Sequence, residues 1–110
     1  MKTHPVYLNG NWVVTEDSIA VINPADGETF ARMSVVDVAR VSPAIRDAHT
    51  AFGAWRHLPG KGRGEWLHKI AAELDRRREE IARIITSENG KPLTQSQGEM
   101  AMAVDYLRWF

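Results

Sequence analysis

Histidine is the side chain most often recruited to bind metal, and this sequence carries four: His4, His49, His57 and His68. No two stand three or four residues apart, so none forms a helical metal-binding pair, and solvated or structural roles outweigh ligation. Cysteine is absent. That removes disulfides, thiolate zinc sites and a thiol nucleophile from these residues. Gly60, Gly62 and Gly64 make a G-x-G-x-G run ahead of a helical stretch. A helix N-terminus attracts anions, so a phosphate cradle is conceivable. The dinucleotide fingerprint needs a buried strand before its glycines, however, and none precedes these, which leaves a plain loop as the better reading. Arg76-Arg77-Arg78 resembles a basic patch until its neighbours are counted. Glu73, Asp75, Glu79 and Glu80 surround it at helical distance, as on a salt-bridged, wet helix face.

Glu88 fits least well with its surroundings. It continues the apolar stripe of Ile81, Ile84 and Ile85. A carboxylate turned into a core requires donors or a cation, because an unpaired buried charge is very costly. The alternative is a frayed helix end where Glu88 meets water or the backbone N–H groups of the next turn. From the residues alone, that alternative is preferred.

The elements that would position these groups divide into strands and then helices. In residues 1–35, Val6-Tyr7-Leu8 and Trp12-Val13-Val14 flank Asn9-Gly10, a dipeptide suited to the positive φ angles of a tight hairpin turn. Ile19 to Ile22 is a β-branched run that stops at Asn23-Pro24, where a ladder donor is lost. Ala25-Asp26-Gly27 supplies turn chemistry, and the alternation of Thr29, Ala31, Met33 and Val35 with Phe30, Arg32 and Ser34 completes a second hairpin.

Residues 42–110 read as three helices. Ser42 is placed as an N-cap with Pro43 at the first helical position, and Ala44, Ile45, Ala48, Phe52 and Trp55 share a face. Leu58-Pro59-Gly60 ends that helix, with Gly62 and Gly64 extending the loop. A second helix spans about Glu65 to Glu88, roughly 36 Å at the standard rise. Its stripe is Leu67, Ile70, Leu74, Ile81, Ile84 and Ile85. Glu73–Arg77 and Glu79–Arg83 form i,i+4 pairs on its wet side. Asn89-Gly90 supplies a left-handed cap, Lys91 complements the dipole, and Pro92 blocks continuation. A third helix starts between Leu93 and Gln97, with Thr94–Gln97 or Ser96–Glu99 as its capping box. Met100, Ala103, Val104, Leu107 and Phe110 share one face, widened by Tyr106 and Trp109.

The whole chain has the size of one small domain, at 110 residues with 44% hydrophobic and 25% charged. Fourteen basic residues balance fourteen acidic ones, which argues against nucleic-acid or membrane-surface partners. There is no apolar N-terminal stretch of signal-peptide length and no window of membrane-span length, so a cytoplasmic protein is expected. Four tryptophans are many for so short a chain and point to a partner surface elsewhere. Tyr106 to Phe110 reads as the middle of an amphipathic helix, with no glycine, polar tail or cap, so a longer natural chain is expected.

Thr86-Ser87-Glu88-Asn89-Gly90-Lys91-Pro92-Leu93 resembles a signature near the N-terminus of aldehyde dehydrogenases. Further matching pieces stand in order. They are Leu8-Asn9-Gly10 with Trp12, Val21 through Glu28, Ala51-Phe52 with Trp55, and Arg63, Leu67, Ile70-Ala71 and Leu74, then Gly98-Glu99 leading to Asp105 through Phe110. The resemblance implies a large α/β enzyme in which residues 1–110 are an incomplete N-terminal part of the cofactor-binding domain, α+β in this stretch. It implies oxidation of an aldehyde to an acid with NAD or NADP, through a cysteine thioester hydrolysed by a glutamate-activated water, with an asparagine at the oxyanion. None of those residues matches a position here, so this chain contributes no catalytic and no cofactor-binding residue and is expected to be inactive alone. A homo-oligomer is implied for the full-length protein. The resemblance also assigns Glu88, with the main-chain carbonyls of Val21 and Ile22, to a structural monovalent cation. The region around Trp55-Arg56-His57-Leu58 and residues 99–110 leans towards the succinate-semialdehyde branch. The competing expectation is a small, complete, non-catalytic helical module that binds a partner through exposed apolar faces.

Overall fold

The computed structural model describes all 110 residues. The fold is α+β, in the order β1 (Thr3–His4), β2 (Val6–Leu8), β3 (Asn11–Val13), β4 (Ser18–Ile22), β5 (Thr29–Ser34), α1 (Val38–Trp55), α2 (Gly60–Arg76), α3 (Arg78–Asn89) and α4 (Leu93–Trp109). It divides into two compact units, Met1–His57 and Leu58–Phe110.

In the first unit, β2 and β3 pair antiparallel with Leu8 opposite Asn11. Asn9 and Gly10 form the two-residue connection with φ of 46° and 79°, the primed turn whose twist matches the strands it joins. A second, three-stranded sheet has the order β1-β5-β4. The β4–β5 hairpin is the expected one, but its register slips between Val21 and Ile22, which face Ala31 and Thr29 respectively. Phe30 is therefore the unpaired residue of a bulge. Burial does not follow the simple alternation read for this strand: Ala31 and Ser34, three apart and so on opposite faces, are the buried residues of β5. The Arg32 guanidinium locks the hairpin by donating to Ser18 Oγ at 2.8 Å and to the Ser18 carbonyl at 2.9 Å. Strand β1, parallel to β5, was not foreseen, because two residues carry no periodicity.

Helix α1 begins at Val38, five residues before the expected first helical residue, Pro43. Asp37 is its cap, with Oδ1 accepting from Arg40 N at 2.9 Å. Pro43 lies inside the helix, where it removes one hydrogen bond to the carbonyl four residues earlier. No residue of α1 is fully buried.

The second unit holds three of the four helices, where the sequence suggested two. The G-x-G-x-G run is not a loop: Gly60, Gly62 and Gly64 form the first turns of α2. The long helix expected over 65–88 is interrupted at Arg77, whose φ of −100° and ψ of 11° leave helical space. Arg77 N still donates to the Glu73 carbonyl and Ile81 N to the Arg77 carbonyl, so α2 and α3 are divided by a single residue. Helix α4 packs on both α2 and α3. The buried apolar residues of this unit are Ala71, Ala82, Met100 and Val104.

Candidate functional site

The corner between α3 and α4 carries the segment with the most distinctive chemistry. Gly90 ends α3 at φ 81°, and its N–H donates to the Thr86 carbonyl at 2.8 Å. The left-handed cap expected from Asn89-Gly90 is thus present. Pro92 precedes α4, and its carbonyl accepts from Gln95 N at 2.9 Å and Ser96 N at 3.3 Å. No side chain caps α4, so the two capping boxes read around Thr94 and Ser96 do not form. Both residues lie within the helix. Ser96 is fully buried, and its Oγ lies 2.8 Å from Thr86 Oγ1. This role was missed from the sequence. The signal was that Ser96 precedes Met100 and Val104 by one and two helical turns on the same inner face.

Lys91 forms an ion pair with Glu99, tying the corner to the first turns of α4. Glu88 is exposed. Its carboxylate takes no part in the salt bridges of this unit. Its stripe is only partly covered within the unit, with Ile84 43% exposed.

In the first unit, Val21 is half-buried and Ile22 exposed at the end of β4. The turn that follows is held by its own side chains. Asn23 Oδ1 accepts from Ala25 N at 3.0 Å, Asp26 Oδ1 accepts from Glu28 N at 2.9 Å, and Gly27 N donates to the Asn23 carbonyl at 2.8 Å. Gly27 has φ 73°, which explains a glycine there. Of the three residues assigned to a cation, Val21 and Ile22 lie in one unit and Glu88 in the other.

The arginine run is a salt-bridged surface, as expected, but with different pairing. Arg76 binds Glu73 through two hydrogen bonds of 2.9 and 2.6 Å, and Arg77 binds Glu80 through two of 3.0 and 2.9 Å. Asp75 meets Arg78 at 3.7 Å and Arg108 at 3.2 Å. Within the run itself the spacing is i,i+3 rather than i,i+4. Hydrogen bonding to Arg76 holds the Glu73 carboxyl below its ordinary range, and Arg77 does the same for Glu80. All four histidines are exposed, and no group of acidic or histidine side chains is arranged to hold a metal ion.

Among the hollows that lie within single units, two are lined mainly by apolar surface. One of about 370 Å³ sits between the hairpin tip, Tyr7 to Gly10, and the small residues Ala44, Ala48 and Ala51 of α1. Another of about 630 Å³ runs along the outer face of α4, past Gly98, Met102, Tyr106 and Trp109. Neither presents a nucleophile beside a base.

The chain belongs to the aldehyde dehydrogenase family, whose pattern matches residues 12–110. It is similar to a 3-sulfolactaldehyde dehydrogenase of Pseudomonas putida, with 34% identity over 94% of this chain and 22% of the relative. Among solved structures, it superposes on lactaldehyde dehydrogenase from Escherichia coli with a TM-score of 0.93 and 32% identity, covering 98% of this chain and 23% of that one. It also superposes on a betaine aldehyde dehydrogenase of Staphylococcus aureus solved with NAD+, with a TM-score of 0.88 and 27% identity, covering 94% and 22%. The chain thus spans under a quarter of the length of the proteins it matches.

Proposed function

We propose that these residues are the N-terminal, incomplete part of the cofactor-binding domain of an NAD(P)-dependent aldehyde dehydrogenase, which oxidises an aldehyde to a carboxylic acid. The observation that supports this most is superposition of nearly the entire chain on under a quarter of a lactaldehyde dehydrogenase. In the intact enzyme, a cysteine thiolate outside these residues adds to the aldehyde carbonyl, hydride leaves to the nicotinamide, and water cleaves the resulting thioester. No residue of this chain fits the cofactor's role. Its glycine-rich run is the start of α2, with no strand before it. The part played here is scaffolding, and the chain by itself is inactive. The whole enzyme is read as a cytoplasmic homo-oligomer. No helix of this chain is long and apolar enough to cross a membrane.

The substrate is an aldehyde. The lean towards succinate semialdehyde rests on the overall character of the sequence, including residues 55–58 and 99–110, and a relative named for succinate semialdehyde matches at 33%. Relatives named for sulfolactaldehyde and lactaldehyde match at 34% and 32%, so identity over this stretch does not rank substrates. For a structural monovalent cation, the residues offer a carboxylate without a basic partner at Glu88 and main-chain oxygens at Val21 and Ile22, all hard donors. That assignment rests on the family resemblance.

The test is to supply the purified 110-residue chain with succinate semialdehyde or lactaldehyde and NAD or NADP, beside a full-length family member. The chain should form no reduced cofactor while the full-length enzyme does. Turnover by the chain alone would overturn the scaffolding reading. The family reading also requires that the coding sequence beyond Phe110 encode a glycine-rich cofactor segment, a glutamate and a reactive cysteine.

A further inference from the structure

We draw no further inference here: the strongest candidate, the apolar outer face of α4 formed by Gly98, Met102, Tyr106 and Trp109, is an unpartnered helix face, and nothing in the structure shows what covers it.

Discussion

Thr86 Oγ1 and Ser96 Oγ lie 2.8 Å apart, joining the last turns of α3 to the first turns of α4 through two hydroxyls. Ser96 has no exposed surface, so neither water nor another side chain can replace its partner easily. Ser96→Ala should therefore destabilise the chain by about 1–2 kcal/mol, because it leaves the Thr86 hydroxyl without its mate. Adding Thr86→Val should recover part of that loss, since removing both partners is cheaper than orphaning one. Urea denaturation followed by circular dichroism measures both variants. A double variant no more stable than Ser96→Ala alone would refute the pairing.

Two glycines should respond to alanine with opposite signs. Gly90 sits at φ 81°, a conformation that costs an alanine about 1 kcal/mol. Gly98 is inside α4, and a Cβ built on it meets nothing within 4 Å. Gly98→Ala should then stabilise by about 0.5–1 kcal/mol, through lost freedom of the unfolded chain and better helix propensity. Thermal melts of the two variants should move in opposite directions. A shared direction would contradict the cap geometry or the open space beside Gly98.

What was legible in the sequence was mostly local backbone chemistry. Asn9-Gly10 and Asn89-Gly90 announced their turn and cap because both structures demand positive φ, and these residues supply it cheaply. The α1 start was misplaced because Ser42-Pro43 carries a stronger local signature than Asp37, yet Asp37 captures the Arg40 N–H. The glycines at 60, 62 and 64 suggested a loop. They became helix because α2 packs along α4, and tertiary packing overrides weak propensity. The break at Arg77 left no mark, since neither glycine nor proline occurs there and the apolar stripe runs across it. At the candidate site, the Gly90 corner was readable. The Ser96–Thr86 contact was not, because it joins residues on different helices.

The acid limb of stability should depend on Glu73 and Glu80. Arg76 and Arg77 hold these carboxyls below their ordinary value of 4.5. A depressed folded value means the contribution is fully present above the unfolded value and is lost as pH falls through the folded one. Both pairs are solvent-exposed, so the effect should be small and fade as salt is raised. Urea midpoints of a Glu73→Gln, Glu80→Gln double variant should match the parent less closely near neutrality than in strong acid, where the parent's carboxylates are themselves protonated. Parallel curves throughout would show that the pairs add nothing.

The second unit should tolerate changes on the outside of α4 and fail from within. Met100 is 5% exposed and Val104 2%, whereas Tyr106 is 62% and Trp109 83% exposed. Beside Val104, the other buried apolar residues of the unit are the alanines 71 and 82, so Met100 is the largest side chain in this small core. Met100→Ala should cost about 2–5 kcal/mol, a large part of what a domain of this size commands. Tyr106→Gln and Trp109→Gln remove exposed rings and should leave helicity and the urea midpoint nearly unchanged. They should lower the binding of a dye that reports apolar surface, because those rings form much of the uncovered face. Circular dichroism and dye fluorescence on the same samples separate the two effects. If Trp109→Gln unfolds the chain while Met100→Ala does not, α4 has been assigned the wrong inner face.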